Sequence, residues 1–530
     1  MHIRFDWSRQ RFVAVGVLAG ALLGVGTVWF WLWPLSLLSF VGVTYLLQVA
    51  PRQQVGWHLA LVAAVAYGCS YWALYWSTLP LDWLGVGPGI GLLLIGSVWL
   101  LTIAIFTAPF VVLLRLAATS PQRWWMVVVL VPSLYVLADA LGTLIFSLVF
   151  VGSASTLGID FSMGSPGYQL ADSTFLRQVA WAGGLYGLLF VQAGFGVAGY
   201  YVLRATGRFR WWYRSSWLLV WVVLASNVLT IPSQTITTDA QTLTVGVVST
   251  FDSEYIAATP AEQLAYGIFR LPATIDVVAL PEDTRYLQYM NDERAAALQS
   301  HFENATVLDS GSIRTDEGLQ PEIQVYHTAT KQLATSSKEF LMVFGEYLPW
   351  LYRGVGYMFG LGDVIAKLDE EHRYVVTQPQ LLPIQGIPVS IKLCSDAMSP
   401  TIYRRDTHDG AAILFNLASH GWFHHSQTLH DAAVRVGQVR AVENGRWYIR
   451  AGHDSPSVVI DQQGHIIVTR AWFNIEPLVV SVPVRQHTTL YSWLHIWVLL
   501  LPLGLVGLVY ARQKRARIRA DTGISQGGAD

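Results

Sequence analysis

IDVVALPE, residues 275–282, and PVSIKLC, residues 388–394, are short β-rich runs that lead straight into a carboxylate, Glu282, and a thiol, Cys394. Open α/β sheets build their sites where strands end, so both side chains stand at candidate positions. Further β-rich runs lie on either side: TLTVGVV (242–248), AAILFNL (411–417) and a hairpin pattern in SVVIDQQGHIIV (457–468). Helical stretches, EQLAYGIF (262–269) and ERAAALQSHF (293–302), fall between the early strands. This alternation predicts a layered α/β domain rather than a sandwich of sheets alone. No internal repeat is visible, and only the polar C-terminal tail is of low complexity.

Outward from this region the composition changes. The 530 residues are 53% hydrophobic and only 13% charged, with 22 Trp, which argues against a soluble cytosolic enzyme. Seven apolar runs, 12–31, 33–50, 57–78, 90–114, 124–146, 180–203 and 215–231, approach or exceed the ~20 residues that cross a bilayer as a helix. An eighth, 490–510, precedes Arg512, Lys514, Arg515, Arg517 and Arg519. No small-residue cleavage site follows the first run, so it reads as a retained span and not as a signal peptide. The expected organisation is a seven-helix membrane domain (1–234), an α/β domain (235–488), a last membrane helix (489–511) and a basic, polar tail (512–530).

Short loops carrying Arg4, Arg9 and Arg11, then Arg52, then Arg115 and Arg123, then Arg204, Arg208, Arg210 and Arg214 all fall on one side of this arrangement. The opposite loops carry only Arg177. The positive-inside rule therefore places both termini in the cytoplasm and the 235–488 domain outside, in the periplasm of a bacterium. A net charge of -1 offers no bulk attraction for nucleic acid.

Two cysteines cannot make a disulfide scaffold, and Cys69 lies inside the third apolar run, out of reach of Cys394. Taken alone, Glu282 reads as a solvated turn residue and Cys394 as a small buried hydrophobe. A free thiol in an oxidising compartment asks for a reason, and nucleophilic catalysis supplies one. Lysine is scarce: five in the chain, at 331, 338, 367, 392 and 514. Lys338 lies eight residues before Glu346 in KEFLMVFGEYLP, although by itself it could be a snorkelling surface residue.

Pro281-Glu282 after a strand, Lys338 followed by Phe344-Gly345-Glu346-Tyr347-Leu348-Pro349, and Cys394 at a later strand end together resemble the Glu-Lys-Cys triad of the nitrilase superfamily. Seven spans, an outer domain and one final span are similar to the apolipoprotein N-acyltransferase family within it. YQLADSTFLRQVAWAGGLYGL (168–188) and RAVENGRWYIRAG (440–452) carry the likeness further. The resemblance implies an αββα sandwich and a two-step transfer: acyl from a phospholipid to Cys394, then from the thioester to the α-amino group of a diacylglyceryl-cysteine on a lipoprotein. Glu282 would be base, Lys338 the partner of the oxyanion, and Glu346 its orienting carboxylate. It implies neither a metal nor a soluble cofactor.

Several motifs depart from the family pattern. Ser395-Asp396 stands for Tyr-Glu, with Asp396 keeping the charge on a shorter arm. Met342-Val343-Phe344-Gly345-Glu346 stands for Val-Pro-Phe-Gly-Glu, and Ser419-His420-Gly421-Trp422-Phe423 for Asn-Asp-Ala-Trp-Phe. A Gln-Gly-Asn-Ile segment has no counterpart in VVSTFDS (247–253). YLPWLYRGVGYMF (347–359) reads as a loop dipping into the headgroup region, with Trp350, Tyr357, Met358 and Phe359, together with Trp422, as lipid or substrate contacts. Its alternative is ordinary core. His420, His424, His425 and His430 crowd one segment, but no carboxylate or cysteine joins them in a zinc pattern. Alternatives to the N-acyltransferase reading are a membrane-tethered amidase, an acyltransferase for another amine, and a non-catalytic lipoprotein-binding relative.

Overall fold

A computed structural model describes residues 7–81, 86–118, 123–229, 241–252, 254, 256–316, 318–372, 374, 379–485 and 488–521. Arg4, positions 235–240 of the expected outer domain and the tail beyond Asp521 lie outside the described residues.

Each of the seven early apolar runs becomes helix: α1 (Trp7–Val28), α2 (Trp33–Val49), α3 (Val55–Ser70) with α4 (Trp72–Trp76), α5 (Pro88–Ala118), α6 (Trp124–Val149), α7 (Ala180–Arg204) and α8 (Arg210–Ala225). Among the described residues, five stretches are long and apolar enough to cross a membrane: those of α1, α2, α5, α6 and α7. The eightfold count is thus not reached by length and composition. α3 is too short at 16 residues, because the third run turns at Tyr71 into α4. Gly20 and Gly24 let α1 lie against α3, since a Cβ at either would fall within 2.8 Å of that helix. The last expected span is also broken: α15 (Leu490–Leu494) and a 3-10 turn (His495–Leu499) come before α16 (Leu500–Asp521).

Among the described residues, the C-terminal half contains two six-stranded sheets. β1 (Thr242–Val247), β2 (Val277–Ala279), β3 (Thr306–Thr315), β4 (Gly318–His327) and β5 (Gln332–Ser337) form one sheet with β12 (Leu478–Pro483) at its edge. The other is ordered β11 (Ile466–Thr469), β10 (Val458–Ile460), β9 (Trp447–His453), β8 (Ile413–Ser419), β7 (Ile387–Leu393), β6 (Leu382–Ile384). The period-two rule explains the layering. Val277 and Ala279 of β2 point into the core shared with Ile391, Leu393, Phe415 and Ile449 of the other sheet. Val278, between them, packs outward on Leu264 and Leu298 of α9 (Pro260–Phe269) and α10 (Asp292–His301). On the far side Leu414 and Tyr448 meet Tyr403 and Val439 of α13 (Ile402–His408) and α14 (Gln427–Asn444). The result is the αββα sandwich.

The α13–α14 layer also packs on the apolar helices of the N-terminal half. Leu37 of α2 and Leu185 and Leu188 of α7 share a core with Val436 and Val439 of α14. Buried Arg440 pairs with Glu443, donates to Tyr168 and reaches the Ala397 carbonyl at 3.0 Å, while Glu443 accepts from the Leu185 N–H at 2.8 Å. One segment differs from expectation: residues 350–358 form a helix, α11 (Trp350–Met358), followed by α12 (Gly362–His372). Gly356 leaves room there for the Ile365 side chain of α12, whose end would lie 2.8 Å from a Cβ.

Candidate active site

Three strand ends converge. Glu282 follows β2 by three residues, Lys338 comes directly after β5, and Cys394 directly after β7. Lys338, 2% exposed, donates to Glu282 Oε1 at 3.1 Å and to Glu346 Oε1 at 2.7 Å. An ammonium has three N–H donors, so these bonds leave one more. The other oxygen of Glu346 accepts the Met342 N–H at 2.6 Å, which fixes the loop carrying Glu346 beneath the lysine.

Cys394 is held by a sharp turn. It has φ +32°, uncommon for a residue with a side chain, where β7 passes into a 3-10 turn (Cys394–Met398). Asp396 stabilises that turn: Oδ2 accepts from the Leu393 N–H at 2.9 Å, and Oδ1 from the Phe340 and Glu339 N–H groups at 2.7 and 3.1 Å. One carboxylate therefore ties the strand end bearing the thiol to the segment bearing the lysine. Ser419 ends β8 and supplies a second tie. Its N–H donates to Glu282 Oε2 at 3.1 Å, and its carbonyl accepts from Cys394 Sγ at 3.6 Å. Asn416 donates to the Cys394 carbonyl at 3.3 Å.

The charges have physical consequences. Burial pushes the Cys394 thiol up to about 12, and the Glu282 carboxylate adds to this against the opposing Lys338 and Arg450. Burial also raises Glu282, with Lys338 opposing. For Lys338, burial disfavours the cation, but Glu282 and Glu346 outweigh it and push it well above the usual lysine value. The resting site is therefore a protonated thiol beside an ionised lysine and a carboxylate whose proton affinity is enhanced.

This cluster opens on a cavity of about 230 Å³. Its far wall is apolar and comes from the helical half: Leu74 of α4, Leu94, Ile95 and Val98 of α5, and Met163. Trp422 lines it as well, whereas Trp350, Tyr357, Met358 and Phe359 are absent from its wall and stand exposed on and after α11, Met358 and Phe359 each at 77%. Sequence reasoning did not find Ser419 or Asn416 as site residues, nor the α5 wall. Ser419 acts through its peptide, which no residue type signals, and a Leu or Val in an apolar helix looks like any other. The crowded histidines do not converge: His420 accepts from Arg450, His424 faces the Pro80 carbonyl and His425 faces Asp454.

Residues 358–489 match the family described as carbon-nitrogen hydrolase. The chain is similar to proteins named apolipoprotein N-acyltransferase: that of Mycolicibacterium smegmatis, 25% identical over 212 residues, 38% of this chain and 34% of that one, and that of Rhizobium meliloti, 27% identical over 209 residues, 36% and 37%. The chain thus spans little more than a third of the length of these relatives. Among solved structures it is similar to a CN-hydrolase superfamily protein from Xanthomonas campestris, 15% identical, covering 46% of this chain and 91% of that one with a TM-score of 0.32. A carbon-nitrogen hydrolase from Helicobacter pylori is 14% identical, covering 49% and 94%, with a TM-score of 0.34. The sequence matches thus liken residues 358–489 to the carbon-nitrogen hydrolase, or nitrilase, superfamily, and about a third of the chain to proteins named apolipoprotein N-acyltransferase.

Proposed function

We propose that this protein is an apolipoprotein N-acyltransferase of a bacterial inner membrane, with its α/β domain in the periplasm. The observation that carries this reading is the apolar cavity. A Glu-Lys-Cys cluster facing water would suit a small amide, but here it faces a chamber walled by α4 and α5. Such a wall accepts hydrocarbon, so the substrate class is a lipid acyl ester. The arginine-rich loops on one side of the spans support the orientation, and the exposed apolar residues of α11 supply a surface suited to the headgroup region.

The chemistry follows from the resting protonation states. Glu282 takes the Cys394 proton as sulfur attacks the ester carbonyl carbon of a phospholipid. Negative charge moves to the carbonyl oxygen, where the remaining N–H donor of Lys338 meets it, an interaction worth about 3 kcal/mol in a water-excluded site. The C–O bond breaks, Glu282 returns the proton to the leaving alkoxide, and a lysophospholipid departs from a Cys394 thioester. The α-amino group of a diacylglyceryl-cysteine then loses a proton to Glu282 and attacks the thioester carbon. The C–S bond breaks and sulfur regains its proton. Glu346 keeps Lys338 oriented and charged.

The experiment is incubation of the purified protein with a phospholipid carrying a labelled acyl chain before any acceptor is present. Label is expected on Cys394, released by a diacylglyceryl lipopeptide as its N-acylated product, and lost entirely in Cys394→Ala. Labelled Cys394 that discharges to ammonia or a small amine but not to lipopeptide would move the assignment to another acyltransferase. No label at all would refute it.

A further inference from the structure

We propose that Asp252, His453 and Asp454 form a binding site for a divalent transition cation of the zinc class, beside the catalytic centre but separate from it. These residues lie where the chain leaves the family's motifs, in VVSTFDS and just after RAVENGRWYIRAG. The fold brings them together through its backbone. Thr250 N–H donates to the Gly452 carbonyl at 3.2 Å, Asp454 N–H to the Thr250 carbonyl at 2.9 Å, and Asp252 N–H to Asp454 Oδ1 at 2.8 Å. Two of these bonds are backbone–backbone and do not depend on charge, and the third seats the Asp252 peptide on the Asp454 carboxylate; carboxylates so close require a cation or a proton between them.

One oxygen from each carboxylate and one nitrogen of His453 lie within 4.8 Å of one another. His453 Nε2 is 3.5 Å from Asp454 Oδ2 and 3.8 Å from Asp252 Oδ1. These separations exceed good hydrogen bonds. They approach the roughly 3.4 Å edge of a tetrahedron with ~2.1 Å metal-ligand bonds, so a small contraction around an ion would complete the set. Asp454 is 1% exposed, yet its Oδ2 has no hydrogen-bond partner among the described residues, which is a costly condition for a buried carboxylate oxygen.

The imidazole is oriented for this role. Thr250 Oγ1 lies 2.9 Å from His453 Nδ1, which occupies that nitrogen and leaves Nε2 for the ion, the usual arrangement around a ligating histidine. Two carboxylates and a neutral imidazole carry a charge of -2, which a divalent ion neutralises. Asp252, with its side chain 54% exposed, gives the ion a route in from solvent. The site sits at the end of β9, where His453 pairs in register with Ser419 and its carbonyl accepts the His420 N–H at 2.9 Å. A bound ion would brace the strand end whose Ser419 peptide holds Glu282 and Cys394.

The test uses the purified full chain in detergent, stripped with chelator, equilibrated with zinc chloride, desalted and assayed for zinc per chain by mass spectrometry. The wild type and Cys394→Ser are expected to retain about one equivalent more than Asp252→Asn and His453→Gln. Zinc is expected to raise the melting temperature of the wild type and not of the variants. Asp252→Asn changes an exposed side chain and carries the test if His453→Gln fails to fold. Equal zinc retention by the wild type and Asp252→Asn, or none by the wild type, would overturn the site and leave the cluster an ion-pair network. The readouts do not depend on acyl transfer, so the result is independent of the proposed function.

Discussion

Asp396→Asn separates a positioning carboxylate from the reacting groups. In the native site three backbone N–H groups converge on this side chain, two from the Lys338 segment and one from the strand end that carries Cys394. Asparagine offers one acceptor oxygen. The better rotamer keeps the Glu339 and Phe340 bonds and turns an NH2 group toward the Leu393 N–H, so donor faces donor. One bond to a charged acceptor is lost, about 1.5–3 kcal/mol, and the Leu393 N–H is left buried without a partner. The strand end must move to relieve this, and Cys394 moves with it. A shift on the order of 1 Å at the nucleophile costs about 10²-fold in rate. Single-turnover acylation of Cys394 by labelled phospholipid is therefore expected to slow about 100-fold. The concentration for half-saturation should change little, because the α5 wall of the cavity is untouched. A thermal melt in detergent should report the loss of about 2–3 kcal/mol. Asp396→Asn that acylates within threefold of the wild-type rate would refute the idea that this carboxylate sets the Cys394-Lys338 geometry.

Acylation should also show a single acid limb in its pH profile. Because Glu282 is raised and must be ionised to accept the thiol proton, the rate falls as pH drops through a range above that of ordinary carboxylates. It then stays level toward pH 9, since Cys394, pushed up to about 12, supplies almost no free thiolate there and Lys338 stays charged. A rate rising tenfold per pH unit through neutrality would show that free thiolate, not Glu282, controls the step. Arg440→Met, measured by thermal unfolding in detergent, is expected to cost about 3–5 kcal/mol, because it strands the fully buried Glu443 carboxylate between α14 and α7. An unchanged melting temperature would count against that pair as a link between the two halves.

What the sequence reveals depends on whether a residue's identity or its surroundings do the work. β1, β2, β7 and β8 are legible because their apolar runs stand alone as runs. β3 and β4 are not: they bury Asp309, Ser310, Glu322 and Gln324, polar residues whose strand conformation is set by neighbours already in the sheet. The helix α11 was hidden by Gly354 and Gly356, which break its period, although Gly356 makes room for the Ile365 side chain of α12. In the site the same division holds. Glu282, Lys338 and Cys394 stand out because a carboxylate, a scarce lysine and a lone thiol are chemically distinct types, and the fold gathers Glu282 and Lys338 at one strand-end cluster with Cys394 beside them.

The parts that decide what such a cluster acts on have no distinct type. Ser419 holds Glu282 and Cys394 through its peptide N–H and carbonyl, so almost any side chain could stand there. Leu94, Ile95 and Val98 line the cavity, but in α5 they are apolar residues among apolar residues. Composition alone can say that a helix is suited to lipid on its outer face. Only the packed structure shows that part of this helix turns inward to wall the space in front of a thiol, and it is that placement which argues for an acyl chain over a small amide.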